Sequence, residues 1–158
     1  MTLLTVGNKV PVFRLLNQDG RPTDLGSFAG KYLVLYFYPK AMTPGCTTQA
    51  CGLRDSLAEL QRFNAVALGV SPDPVAKLKK FIEKESLNFD LLSDEDHAVA
   101  ERYGAWGLKK FMGREFMGIL RTTFIIGPDG RLAAMLDKFT TGSHHSEVIS
   151  WLQDHVKV

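Results

Sequence analysis

The chain has two cysteines, Cys46 and Cys51, five positions apart in the stretch Phe37-Tyr-Pro-Lys-Ala-Met-Thr-Pro-Gly-Cys-Thr-Thr-Gln-Ala-Cys51. A cysteine attacks other molecules as its thiolate, and a helix N-terminus, a nearby cation and partial exposure favour that form. After Pro44 and Gly45 the apolar residues Leu53, Leu57 and Leu60 recur at spacings of four and three, which predicts a helix with Cys46 in its first turn. Backbone N–H groups there have no partner within the helix, and together with the positive end of the macrodipole they stabilise a sulfur anion. Gly45 puts no side chain beside the sulfur, Pro44 adds no N–H, and the Thr43 hydroxyl can donate to a bound oxygen or accept from the thiol. The competing reading makes Cys46 an inert, buried small hydrophobe.

Cys51 would sit on the same helix, displaced from Cys46 by about 7.5 Å of rise and about 140° of rotation, with Cα atoms roughly 8–9 Å apart. A disulfide needs about 4.4–6.8 Å. If the two cysteines bond, the first turns of the helix must unwind. A Cys-x-x-Cys pair exchanges disulfides with little backbone change, whereas this wider spacing fits a cycle in which sulfenic acid forms first and then condenses with a second thiol. Cys51 also has an alternative, as a small core residue.

The elements that must position these cysteines follow from the pattern around them. Val12 to Leu16 with the turn signal Asn17-Gln18-Asp19-Gly20 reads as an N-terminal hairpin, and Tyr32 to Tyr38 as a strand buried on both faces. Ala65 to Val70 is a second buried strand, and Pro74 opens an amphipathic helix carrying Leu78, Phe81 and Ile82. Phe89 to Leu92 reads as a short strand and Ala98 to Tyr103 as a short helix. Thr122 to Ile126 and Leu132 to Leu136 flank Asp129-Gly130 as a hairpin, and a last helix covers Ser146 to His155. Strands alternating with helices and closing on a hairpin imply an α/β class with a mixed central sheet flanked by helices, its ligand face at the carboxyl end of the first buried strand. Gly104 to Gly118, with Trp106, Phe111, Met112 and Phe116, reads as a loop that is either a substrate wall or packed cover.

With 158 residues, 45% hydrophobic and 23% charged, and no repeat or linker, residues 1–158 are expected to form a single domain. The net charge of +2 is spread along the chain, which gives no electrostatic case for nucleic acid or a membrane surface. No apolar run reaches the roughly 18 residues of a membrane span. The opening residues lack the pattern of a secretory signal, so a reducing cytoplasm is the expected compartment. His144-His145 lacks further Cys or His ligands nearby and is expected to be a solvated helix start rather than a metal site. Gly113 to Gly118 lacks the Lys-Ser/Thr ending of a phosphate loop.

The stretch from Phe37 to Cys51 resembles the active-site segment of peroxiredoxins, and specifically of the peroxiredoxin Q or bacterioferritin comigratory protein subfamily. The family pattern Pro-x-x-x-Thr-x-x-Cys falls on Pro39, Thr43 and Cys46, and many members of this subfamily carry a resolving cysteine where Cys51 stands. The resemblance extends to Gly7 through Phe13, to the Val70-Ser-Pro-Asp73 segment and to Arg121 through Gly130. It implies a thioredoxin-like fold and reduction of hydrogen peroxide and organic hydroperoxides, with Cys46 as peroxidatic thiolate and Cys51 as its disulfide partner. Thr43, Pro39, Gly45 and Arg121 would hold the peroxide, Arg121 being the active-site arginine. It further implies a thioredoxin-like reductant, no metal, haem or flavin cofactor, and a monomer or weak dimer. Where many relatives carry an acidic residue and a further Thr, this chain has Lys40-Ala41-Met42, which makes the approach less polar. Two rivals stay open from the residues alone: a thiol–disulfide oxidoreductase acting on proteins, and a non-enzymatic binding module in which both cysteines are dispensable.

Overall fold

The computed structural model of the protein describes residues 4–157. Its organising strand is β3 (Tyr32–Phe37), in which every residue after Tyr32 is buried. Side chains alternate across a strand, so Leu33, Leu35 and Phe37 enter one apolar layer while Val34, Tyr36 and the following Tyr38 enter the other. A strand covered on both faces needs this unbroken apolar run.

The neighbours of β3 assemble around it. β4 (Ala65–Ser71) pairs parallel to β3, and β5 (Asp90–Ser93) parallel to β4. On the other flank β8 (Thr122–Ile126) runs antiparallel to β3 and β9 (Leu132–Leu136) antiparallel to β8. The N-terminal hairpin of β1 (Arg14–Asn17) and β2 (Pro22–Asp24) joins the edge of β5. Among the described residues this gives a seven-stranded mixed sheet in the order β2-β1-β5-β4-β3-β8-β9, the α/β architecture expected. α1 (Pro44–Asp55), α2 (Leu57–Arg62), α3 (Val75–Glu85) and α5 (His144–His155) supply apolar residues to one layer, and α4 (Ala98–Tyr103) to the other.

Three expectations need correction. The helix after Cys46 is not continuous: it breaks at Ser56, whose hydroxyl donates to the Gly52 carbonyl at 2.9 Å and competes with the helical pattern. The segment read as a loop over residues 104–118 holds a two-stranded hairpin, β6 (Trp106–Phe111) and β7 (Arg114–Ile119). Its turn places Met112 and Gly113 at φ of 51° and 79°, the backbone of a two-residue hairpin turn, but Met is not a residue that announces such a turn. His144 is not solvated. It is 0% exposed and shares a 2.7 Å hydrogen bond through Nε2 with Thr123 Oγ1 on β8.

Gly69 lies in β4 between Tyr36 of β3 and Leu91 of β5. A Cβ there would meet Leu91 Cδ2 at 2.8 Å and the Tyr36 hydroxyl at 2.9 Å, both wholly buried and unable to retreat. Gly69→Ala is therefore expected to cost about 1–3 kcal/mol through overpacking, read as a lower urea midpoint with an unchanged m-value.

Candidate active site

The site assembles where β3 ends. Tyr38 extends the strand by donating its N–H to Val70, and the chain then turns over residues 39–43 into α1. Two clamps hold this turn. The buried carboxylate of Asp73 accepts from the Ala41 N–H at 2.7 Å and from Ser71 Oγ at 2.8 Å, and the Thr43 hydroxyl donates to the Lys40 carbonyl at 2.8 Å. Between them Met42 is held at φ 64°, a left-handed conformation costly for a side-chain-bearing residue. With its proton committed to Lys40, the Thr43 oxygen is left as an acceptor.

Cys46 is the third residue of α1 and 1% exposed. Thr43 stands at the N-cap without a side-chain cap, so the N–H groups of Gly45 and Cys46 have no acceptor from it, and the first helical bond runs from Thr47 N to Thr43 O. Opposite them lies Arg121, the residue before β8. The β3–β8 register pairs Phe37 with Thr122, which carries Arg121 just past the carboxyl end of β3, onto the sulfur. Arg121 Nη2 donates to Cys46 Sγ at 3.3 Å and Nη1 to Gln49 Oε1 at 2.9 Å. Among the described residues no carboxylate pairs with it within 4.0 Å. Its charge therefore stays directed at the sulfur.

The structure thus brings Arg121 onto Cys46 and against Gly45, with Thr43 at the N-cap of the same helix and Pro39 in the turn that leads into it. Gly45 has a structural consequence of its own beside the sulfur. A Cβ there would lie 3.2 Å from Arg121 Nη2 and 3.5 Å from Thr141 Cγ2, so its missing side chain makes room for the guanidinium. Gln49 was not anticipated, although a polar residue three positions after Cys46 shares its helical face and was readable as such. It is wholly buried and anchors Arg121 by its carbonyl. Asp73 was likewise unassigned, since nothing local ties it to a turn thirty residues earlier.

Cys51 is half-buried on the unbroken α1, and both cysteines are free thiols. Burial pushes the Cys51 thiol up, with Glu85 and Asp55 adding to the effect and Arg54 opposing it. In the folded helix the thiol form of Cys51 is thus favoured, and the sulfur sits more than one helical turn along α1 from Cys46. Next to it, Gly52 receives the ring of His145, which lies where a side chain at 52 would have to go. Beside Arg121 and Thr122 opens a cleft of about 550 Å³, lined also by Tyr103, Lys109, Leu120 and Met135. Another cavity, of about 240 Å³, lies around Lys31, Leu33 and Pro128 at the opposite end of β3 and is remote from this chemistry.

The AhpC/TSA family model matches residues 6–135. Peroxiredoxin Bcp of Escherichia coli strain K12 is 50% identical over 155 residues, covering 98% of this chain and 99% of that protein. The chain belongs to the AhpC/TSA family and is a peroxiredoxin. Peroxiredoxin Bcp of Bacillus subtilis strain 168 is 46% identical over 151 residues, 96% of each chain. Among solved structures, peroxidoxin BcpB from Mycobacterium tuberculosis superposes with a TM-score of 0.86 at 34% identity, covering 98% of this chain and 99% of that one. The Xanthomonas campestris bacterioferritin comigratory protein superposes with a TM-score of 0.87 at 32% identity, covering 95% and 100%. The central mixed sheet with flanking helices is therefore the thioredoxin-like fold of these peroxiredoxins. No helix among the described residues of this peroxiredoxin is long and apolar enough to cross a membrane.

Behind Arg121, burial drives the His144 imidazole down to about 3, with His145 and Arg121 adding to the shift. A base whose folded value lies below its unfolded value of about 6.5 must take up a proton on unfolding at acid pH. Its contribution to stability is complete above about pH 6.5 and is lost at about 1.4 kcal/mol per pH unit as pH falls toward 3. His144→Gln is expected to flatten the fall in unfolding free energy between about pH 6 and about pH 4, measured by urea titration against wild type. An identical slope in both proteins contradicts the assignment.

Proposed function

We propose that this peroxiredoxin reduces hydrogen peroxide and organic hydroperoxides with Cys46 as attacking thiolate, Cys51 as resolving thiol, and Arg121, Thr43, Gly45 and Pro39 forming the peroxide site. The observation that carries the reading is the Arg121 guanidinium on Cys46 Sγ at 3.3 Å in the first turn of α1. The family membership supports it, as does the Xanthomonas campestris relative, described by its alkyl peroxide reduction activity.

The sulfur attacks one peroxide oxygen, the O–O bond breaks, and the departing oxygen leaves as water or an alcohol after taking up a proton. Charge develops on both oxygens along the way. Arg121, always charged and already anchored by Gln49, stabilises that charge without reorganising, and the unpaired N–H groups at the helix start act with it. The peroxide O–H donates to the Thr43 oxygen, which orients the attack. Cys46 is left as a sulfenic acid. The Cys51 thiol then condenses with it, expelling water and forming a disulfide. Both cysteines lie on α1, so this step requires its first turns to unwind. Two electrons from a thioredoxin-like reductant restore the dithiol by thiol–disulfide exchange. The reductant supply suits a cytoplasmic setting, and one domain acting as a monomer or weak dimer is enough for the cycle.

Peroxide consumption coupled to a thioredoxin system is expected to vanish in Cys46→Ser. In Cys51→Ser it is expected to stop after one turnover, without an intramolecular disulfide by mass. The oxidised wild type is expected to lose on the order of one to two turns of helix in far-UV circular dichroism. Disulfide reduction of protein substrates without peroxide consumption would instead favour the oxidoreductase reading.

A further inference from the structure

The β6–β7 hairpin, which the sequence left as a loop, brings a second cation to the cleft beside Arg121. Lys109 on β6 lies directly opposite Phe116 on β7. Its stem crosses Gly118, where a Cβ would come within 3.1 Å of Lys109 Cδ. Lys109 is half-buried and lines the cleft of about 550 Å³ together with Arg121 and Thr122.

The neighbouring lysine behaves differently. Lys110 is exposed and pairs with Glu115 at 3.5 Å, whereas among the described residues Lys109 has no carboxylate within 4.0 Å. Asp137 stands exposed at the rim of the same cleft without forming that pair. Burial, followed by the Arg121 charge, pulls the Lys109 ammonium down, and Cys46 opposes the shift. Placing a partly desolvated ammonium beside a guanidinium is unfavourable unless an anion joins them. The Cys46 thiolate supplies one negative charge shared by the two cations, and hydrogen peroxide brings no second. The remaining walls include Leu120 and Met135, so the cleft combines apolar contact with two positive charges.

We propose that Lys109 binds a carboxylate carried by an organic hydroperoxide and so sets the preference of this site among peroxides. The proposal rests on the peroxidase reading above. Arg121 meets the hydroperoxide at Cys46, Lys109 meets the carboxylate, and the chain between the two groups lies along Leu120 and Met135.

The test is the rate of Cys46 oxidation in stopped flow, using the full chain with a long-chain carboxylic acid hydroperoxide, its methyl ester and hydrogen peroxide. Wild type, Lys109→Met and Lys109→Arg are compared below the concentration at which the acid forms micelles. Wild type is expected to favour the acid over the ester by about tenfold, as one charge-assisted contact provides. The preference is expected to fall to near unity in Lys109→Met, to survive in Lys109→Arg, and to weaken with added salt. Equal rates for acid and ester in wild type overturn the proposal. A loss in Lys109→Met shared equally by acid, ester and hydrogen peroxide also overturns it, because Lys109 would then act on the sulfur. A wild type that fails to react even with hydrogen peroxide defeats the peroxidase reading itself, a result distinct from either.

Discussion

The contact between the Arg121 guanidinium and Cys46 Sγ is the interaction around which the rest of this peroxiredoxin is arranged. Cys46 is buried and Arg121 half-buried, and a cation there needs a fixed place. The fold provides it in three ways. The antiparallel register of β8 on β3 sets Arg121 at the carboxyl end of β3, the buried Gln49 holds its second nitrogen, and the bare Gly45 leaves the space it occupies. The two apolar layers on either face of β3 fix that register, since a slip by one residue would exchange Leu35 and Phe37 with Val34 and Tyr36 between layers.

The same helix that holds Cys46 must release it if Cys51 is to reach it. α1 carries marks of both demands. Its entry is clamped through Asp73 and strained at Met42, and its exit breaks at Ser56. Its middle is covered by His145 over Gly52. A short helix bounded by strain at one end and a break at the other opens locally more readily than the sheet beneath it, where β3 is hydrogen-bonded to a strand on each side. Burial pushes the Cys51 thiol up while the helix is intact, which would keep it passive as a resolving thiol until that opening.

Much of this was legible from residue order. The strands β3, β4, β8 and β9 announced themselves through apolar runs bounded by Gly, Pro and Asp, and α4 through its compact apolar spacing. Cys46 and Thr43 were readable from their place at a helix start, and Arg121 from the family resemblance. What was missed depends on long-range contact. The β6–β7 hairpin mixes Lys109, Lys110, Arg114 and Glu115 with exposed Phe111 and Met112, so no hydrophobic period marks it. His144 looked like a surface residue because its partner Thr123 lies twenty-one positions away. Gln49 and Asp73 acquire their roles only when the sheet brings Arg121 and Ala41 to them.

In the proposed cycle Arg121 acts on the sulfur and on the breaking O–O bond rather than merely filling space. The most direct measurement is the second-order rate constant for oxidation of Cys46 by hydrogen peroxide in Arg121→Met, followed by stopped-flow fluorescence, with circular dichroism confirming the fold. A fall of about a hundredfold or more, the scale set by losing a preorganised charged donor, is the result this account predicts. A rate within a few-fold of wild type in a folded variant would contradict it.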